Sequence, residues 1–452
     1  MNRRTFLTTS ALISTGSIFS LTGCKTNKPV YKNESLHNWA GNINYSTRNV
    51  YYPSSIDQVQ QIIKDNSKIK CLGSRHSFSR IADSDGCLLS TTNLKSILKL
   101  DRQTNSVTVE PGITYGELSV FLQQNGFALH NLASLPHISV GGACATATHG
   151  SGVNNGNLST IVNAMEFVDG SGNVHSISRK NDSDSFNGAV VNLGALGVVT
   201  KLTLDVMPDY NMKQVVYRNL PFESLKQSFV DIMSSGYSVS LFTNWTKESI
   251  NQVWIKSIHN DSDASVSPSD FFGASKSEID LHPVDTQSAE NVTIQRGIKG
   301  KWYEVLPHFK MGFKPSTGKE LQSEFFVHKD AGFQAIQAMQ TLSRHISPHL
   351  FVSEIRSIKA DQLWMSPAYQ KDCISIHTTW HQSDNVINEL IPLVQNALLP
   401  FHPIPHWAKL SSIPKSSLAG LYPRMHDFRG LCRQFDPQKK FLNKYLQEFI
   451  LV

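Results

Sequence analysis

Two glycine-rich loops and two short strands carry the residues of this chain best suited to chemistry. The first loop, Gly73-Ser74-Arg75-His76-Ser77-Phe78, follows directly on a strand-like run. The second runs from Ser134 to Gly152 and reads SLPHISVGGACATATHGSG. Loops of this kind expose backbone N–H groups with no Cβ in the way, and they suit the close approach of a pyrophosphate. Neither has the G-x-G-x-x-G spacing that opens a helix, so a Rossmann nucleotide site is disfavoured. Either loop alone would most often be a plain turn.

The strands offer a different chemistry. In Phe351-Val352-Ser353-Glu354-Ile355-Arg356 the two-residue period puts Glu354 and Arg356 on one face and Ile355 on the other. In Ile374-Ser375-Ile376-His377-Thr378-Thr379 it puts His377 and Thr379 on one face and Ile376 on the other. Set side by side, the strands present four polar groups to one cleft. The bland alternative is a solvated sheet face, made less apt by the apolar opposite faces. Pro405-His406-Trp407-Ala408-Lys409 adds a cation, Lys409, whose ordinary reading is a surface lysine.

Regular elements must hold these groups. Ser55-Ile56-Asp57-Gln58 reads as a capping box, followed by Val59, Ile62 and Ile63 at helical spacing. Residues 68–72 form a strand into Gly73, and 107–109 form another, stopped by Pro111-Gly112. Thr114 and Glu117 make a second capping box, with Leu118, Phe121 and Leu122 as the apolar face and Gly126 as the stop. Leu202, Leu204 and Val206 alternate as a strand does. Beyond Tyr210 come candidate strands at 215–217, 239–243, 253–255, 351–358 and 374–379. Helix patterns cover 333–342 and 386–398. Residues 257–300 are polar and read as an excursion of loops. The boundaries drawn are a leader over 1–23, a linker over 24–37, a first domain over 38–210, a second over 211–401, and a segment over 402–452 that returns to the first.

A chain of 452 residues exceeds a single core and implies two domains. The net charge of +6 becomes +6 − 2 = +4 once Arg3 and Arg4 are removed with the leader, and no Lys/Arg run with interleaved aromatics points to nucleic acid. No stretch after the leader is apolar enough to span a bilayer. Arg3-Arg4 before a weakly hydrophobic run resembles a twin-arginine (Tat) export signal, and Leu21-Thr22-Gly23-Cys24 resembles a lipobox with Cys24 as the lipidated residue. With Lys25 rather than Asp after the cysteine, the expected fate is a lipid anchor on the periplasmic side, at the outer rather than the inner membrane. Five further cysteines, at 71, 87, 144, 373 and 432, show no zinc-ligand spacing, so no metal is expected, and no disulfide pair is specified.

The two loops, in this order and about 60 residues apart, resemble the vanillyl-alcohol-oxidase (PCMH-type) FAD-binding superfamily, and within it the alditol oxidases, with the aldonolactone oxidases next. The resemblance runs from Asn38-Trp39-Ala40-Gly41-Asn42 to the C-terminus. It implies an α+β, two-domain fold: a PCMH-type FAD-binding domain and a mixed α/β substrate (cap) domain. It implies FAD bonded covalently through His76. By position it assigns flavin contacts to Gly73, Ser74, Arg75, His76, Ser77, Ser134, Ser139, Gly142, Thr146, Ala147, Thr148, His149, Gly197, Val198 and His406. Arg75 departs from the pattern, since many relatives have Gly there; at positive φ it would cost about 1 kcal/mol. The second, cysteinyl flavin bond of some members has no counterpart, because Ser134-Leu135 stands at its place and Cys144 lies deeper in the loop.

For substrate, the resemblance implies Ser134, Glu354, Arg356, Thr379 and Lys409, with His377 nearby. The implied reaction oxidises the terminal primary alcohol of an open-chain polyol, xylitol- or sorbitol-like, to the aldose. A hydride passes to flavin, and O2 or another acceptor reoxidises it, with hydrogen peroxide as the product from oxygen. The weakly acidic hydroxyl needs positive charge nearby as its proton leaves, which Arg356 and Lys409 supply. Lys409, its pKa lowered beside an arginine, is the candidate base, and Glu354 accepts hydrogen bonds from substrate and balances charge. An aldonolactone oxidase or dehydrogenase of the same fold is the alternative. More distant are a peptidoglycan-precursor reductase and a lipid-anchored sugar-binding protein that has lost catalysis.

Overall fold

A computed structural model describes residues 28–259, 267–313 and 320–451. Arg3, Arg4, Leu21 to Cys24 and Lys25 lie outside the described residues.

A four-stranded sheet opens the fold, in the order Val30–Asn33, Asn49–Tyr52, Cys87–Ser90, Ile69–Leu72, with the last three strands parallel. The helix Ile56–Asp65 makes the crossover, and its Val59, Ile62 and Ile63 pack on Leu89, Val168, Val198 and Phe441. Ser55 caps it by accepting from the Gln58 N–H, while the Gln58 side chain accepts from Ser54 rather than Ser55. The Thr114/Glu117 box closes in full on the helix Tyr115–Gln124, and Gly126 follows at φ +79°. Beside this unit stands an antiparallel five-stranded sheet, in the order Ile97–Asp101, Ser106–Val109, Val198–Asp205, Val162–Val168, Val174–Ser178.

The two glycine-rich loops meet between these sheets. Ser74 Oγ accepts from the Ser139 N–H at 3.1 Å, and Ser139 Oγ accepts from the Ser74 N–H at 3.2 Å. This reciprocal clasp ties two loops 65 residues apart. A Cβ at Gly73 would sit 2.5 Å from Ser139 Oγ, so the clasp requires glycine there.

Beyond a two-stranded pair, Phe127–Ala128 with Met207–Pro208, the largest sheet has ten strands, and its core runs Ser238–Thr243, Leu350–Ile358, Cys373–His381, Glu320–His328, Ile404–Pro405. One face, with Ile355, Ile376 and Phe325, packs on Ile336, Met339 and Val394 from the helices Gly332–Thr341 and Ile391–Leu398. The other face is free to line a cleft. One expectation is refined and one is corrected. The 386–398 pattern is a π-helical turn, Val386–Leu390, leading into an α-helix that begins at Ile391, where Pro392 has no N–H to give. The 257–300 stretch is not loops alone: Asp270–Phe271, Ala274–Lys276 and Gly300–Lys301 add short strands to the sheet. Phe428, Leu431 and Phe449, near the C-terminus, share a core with Val107, Leu118 and Phe186.

Candidate active site

Strand register builds the centre of the site. Phe242 stands opposite Glu354, Glu354 opposite His377, and His377 opposite Glu324. Residues directly opposed on neighbouring strands share a face, so this is a line of side chains across four strands. Two residues along, Thr379 faces Gln322 on one side and Val352 on the other. Arg356 follows Glu354 on the same face. The two strands inferred from alternation thus do lie side by side, antiparallel, with Glu354, Arg356, His377 and Thr379 all lining one cavity.

Charge is arranged in pairs. Arg356 Nη2 donates to Glu324 Oε1 at 2.7 Å, and its Nε lies 3.6 Å from Glu354 Oε1. Glu354 Oε1 also meets His308 Nε2 at 2.7 Å, and Glu324 Oε1 lies 3.1 Å from His149 Nε2. Burial pushes Glu354 up, but Arg356 and His308 outweigh it, and the carboxyl ends well below the ordinary range. Glu324 follows the same pattern, with His149 and Arg356 as the opposing charges. Both are carboxylates at neutral pH. His149, Glu324 and His406 bring ligand atoms within 4.8 Å of one another, and the Arg356 guanidinium already serves as the cation for Glu324.

Lys409 is no surface lysine. Its Nζ donates to Gln322 Oε1 and stands 4.7 Å from the centre of the Phe78 ring. Burial lowers it to about 8, with Glu324 pulling up and Arg356 pushing down, so removal from water does more than the neighbouring arginine. His377 Nε2 meets the same Gln322 oxygen at 3.1 Å, and burial lowers this imidazole to about 3.

The cavity, of about 550 Å³, runs from this strand face to the two loops. Gly73, Ser74, Arg75, His76 and Ser77 line it from the first loop. Ser134, Gly142, Thr146, Thr148 and His149 line it from the second, joined by Gly197 and His406. Three of the assigned residues are not on the cavity wall. Ser139 meets the first loop, its hydroxyl accepting from the Ser74 N–H. Ala147, at φ +53°, turns its methyl into the core, 1% exposed. Val198 is fully buried against the parallel sheet, and strand alternation hands the cavity to Val199 instead.

His76 stacks on Trp39 with ring centroids 5.1 Å apart at 24°. Burial lowers it to about 3, with His137 and Lys409 acting in the same direction, so the ring is neutral and keeps a lone pair. Arg75 does adopt φ +65°, the left-handed conformation that favours glycine.

Sequence reasoning missed Glu320, Gln322 and Glu324, whose strand Glu320–His328 was not among those expected. A signal existed: polar residues at every second position. Ser323 blurred it, a hydroxyl on the core side that bonds Thr378 and Trp380. His308 and Lys256 were missed with no local signal at all.

These residues fit FAD. The glycine loops bring bare backbone to the cavity, Ser74, Thr146 and Thr148 add hydroxyls, and Ala133, Leu135, Ile138 and Val199 supply apolar wall for a ring system. The neutral His76 stands among them with a lone pair suited to a carbon electrophile.

Comparison with known proteins agrees with this chemistry. Residues 47–178 match the FAD binding domain family, and residues 317–449 match the D-arabinono-1,4-lactone oxidase family. An alditol oxidase from a Streptomyces species is 38% identical over 419 residues, covering 92% of this chain and 99% of the relative. The L-gulonolactone oxidase of Mus musculus is 26% identical, covering 92% and 98%. Among solved structures, the glucooligosaccharide oxidase of Acremonium strictum, described as carrying a 6-S-cysteinyl, 8α-N1-histidyl FAD, superposes with a TM-score of 0.70 at 12% identity, covering 90% of this chain and 93% of that one. Fold, cavity and near-full-length identity lead to one assignment: the chain belongs to the alditol oxidase and aldonolactone oxidase group of the vanillyl-alcohol-oxidase (PCMH-type) FAD-binding superfamily.

Proposed function

We propose that this protein is an FAD-dependent oxidase of open-chain polyols, converting a terminal primary alcohol of xylitol or sorbitol type to the aldose. The observation that carries the reading is the line of hydrogen-bonding groups on one sheet face, Glu354, Arg356, His377 and Thr379, completed by Lys409. A chain of hydroxyls, each a donor and an acceptor, matches such a line.

Bound in the cavity, FAD supplies the acceptor for the two electrons of the carbinol C–H bond and passes them on to oxygen, giving hydrogen peroxide. The protein's residues do the rest. Glu354 accepts from substrate hydroxyls, and Ser134 and Thr379 add further contacts. Arg356, held between two carboxylates, puts fixed positive charge where an alkoxide develops. Lys409, lowered to about 8, is the group able to take the hydroxyl proton near neutral pH. Gln322 holds the lysine toward the cleft.

His76 is the proposed point of covalent attachment, through the flavin 8α carbon. The neutral ring, its stacking on Trp39 and its place in the loop support the bond. The Arg3-Arg4 pair and Leu21-Thr22-Gly23-Cys24 support export by the twin-arginine route and lipid anchoring at Cys24, on the periplasmic side and at the outer membrane. Fractionation of a Cys24→Ser variant tests this: the variant leaves the membrane fraction, and the idea fails if wild type and variant are equally soluble.

The experiment for the polyol reading is an anaerobic screen in which flavin absorbance is followed as polyols, lactones and oligosaccharides are added. Bleaching by xylitol or sorbitol supports it. A protein without colour, or one bleached only by lactones, overturns it.

A further inference from the structure

Lys256, on the strand Ser249–Ile258, is 1% exposed, which is costly for an ammonium unless every hydrogen finds an acceptor. Three do. Its Nζ donates to Leu306 O at 2.6 Å, to Pro307 O at 2.9 Å and to His308 Nδ1 at 3.2 Å. Burial lowers Lys256 to about 7; below that pH it is an ammonium, with three N–H bonds and no lone pair, so His308 Nδ1 can only accept from it. The single proton of a neutral His308 then sits on Nε2, and Nε2 faces Glu354 Oε1 at 2.7 Å.

The imidazole has little freedom to turn away. Phe242 and Trp254 pack edge-on against it, with centroids 5.4 and 5.3 Å distant. Its backbone N–H donates to Ser134 O, which ties it to the second glycine-rich loop. Trp254 and Lys256 are two residues apart on one strand, so a single strand face supplies both the wall and the cation.

We propose that Lys256 is a positioning residue that, by donating to Nδ1, holds His308 as an uncharged Nε2–H donor and so keeps Glu354 a full carboxylate acceptor for substrate hydroxyls. Glu354 Oε1 is occupied by that N–H, which leaves the other oxygen for substrate. The inference rests on the polyol reading, in which Glu354 receives hydroxyls.

Without the lysine, Nδ1 is free to take a proton. His308 then becomes an imidazolium against Glu354, and the carboxylate is neutralised from behind. The other charged or titratable groups near Glu354 are Arg356 on its own strand, His377 on the neighbouring one, Glu324 one strand farther along the same face, and Lys409. Arg356 is charged at all relevant pH and His377 is lowered to about 3, so neither produces a new transition near neutrality; Lys409, lowered to about 8, titrates in wild type and variants alike and drops out of their ratio. His308 in the intact protein is lowered to about 4, by burial first, with Glu354 opposing and Lys256 assisting.

The test is Lys256→Met, with Lys256→Gln as a second variant that keeps N–H donors for the two carbonyls without the charge. Both are purified with flavin bound. The His308 ring resonances, assigned by their loss in His308→Gln, are followed by NMR from pH 5 to 9. In the wild type they show no imidazolium form down to pH 5, and any change near pH 7 follows loss of the Lys256 proton; in the lysine variants they move to imidazolium positions as the pH falls. KM for xylitol in the variants falls as pH rises, from about tenfold above wild type at pH 5.5 towards wild type at pH 9. Adding His308→Gln to Lys256→Met removes that dependence. The proposal is overturned if His308 in the lysine variants fails to titrate, or if KM shifts by the same factor at every pH. The NMR arm needs no substrate, so it stands apart from a failure of the polyol reading, which shows instead as a wild type that xylitol does not reduce.

Discussion

Arg356 and Glu324 meet at 2.7 Å with the carboxylate side chain 2% and the guanidinium side chain 8% exposed. A pair so deep holds together only while both partners remain. Glu324→Ala leaves Arg356 with Glu354 alone, and breaking a buried pair costs about 3–5 kcal/mol. The expected outcome is a fall in the unfolding midpoint of the flavin-bound protein together with slower flavin reduction, read by thermal melting and anaerobic stopped flow. A melt unchanged within error would count against the buried pair.

Lys409 acts as base only when uncharged. Burial lowers it to about 8, so its neutral fraction is small at pH 6 and dominant at pH 9. The rate of flavin reduction at saturating polyol therefore rises with pH and levels off above about 8. Lys409→Arg keeps the charge but cannot release the proton, so its reduction is slow by about two orders of magnitude or more and flat over the same range. A wild-type rate that falls from pH 6 to 9 would exclude this role.

Covalent flavin leaves a simple trace. Denatured wild-type protein keeps yellow fluorescence on a gel, and His76→Ala loses it. Trp39→Ala, which removes the stacking partner 5.1 Å away, slows the appearance of the fluorescent band when apoprotein is mixed with FAD. Complete release of flavin by acid from the wild type would contradict the bond.

Open-chain polyols are expected to outperform lactones. A lactone carbonyl or ring oxygen cannot donate to Glu354, and a buried group left unpaired costs about 1–3 kcal/mol, roughly tenfold per contact. Catalytic efficiency on xylitol and sorbitol is compared with that on an aldonolactone in one preparation. Preference for the lactone moves the assignment to the other branch of the group and leaves the flavin chemistry intact.

Arg75 sits at φ +65°. Arg75→Gly relieves a left-handed side chain, so its melting point rises, by up to about 1 kcal/mol in stability. Arg75→Val adds β-branching to the same strained position and lowers it. The order Gly above Arg above Val is the result to look for.

Local patterns made much of this site legible. Two-residue alternation placed Glu354, Arg356, His377 and Thr379 on one surface, because each strand carries its own apolar back in Ile355 and Ile376. Capping chemistry located the helices at 56 and 115 for the same reason: it is written in neighbouring residues. The resemblance carried what lay beyond local reach, such as His76 and Lys409. The groups that set protonation escaped. Glu324 touches Arg356 across 32 positions, and Lys256 touches His308 across 52, distances at which only the folded sheet sets the pairing. Ser139 and Val198 stand off the cavity wall for a finer reason: the side chain of one meets the neighbouring loop and that of the other the core.

The clasp between Ser74 and Ser139 bears on the order of assembly. It is made of protein atoms alone, two serine hydroxyls and two backbone N–H groups, each satisfying the other. The two loops are therefore joined by their own bonds, and the expected order is that cofactor loading follows folding instead of driving it. Under the export route proposed above, the interval between those two events is where a cell would insert the flavin. A molecule without flavin in that interval would already have its two loops joined.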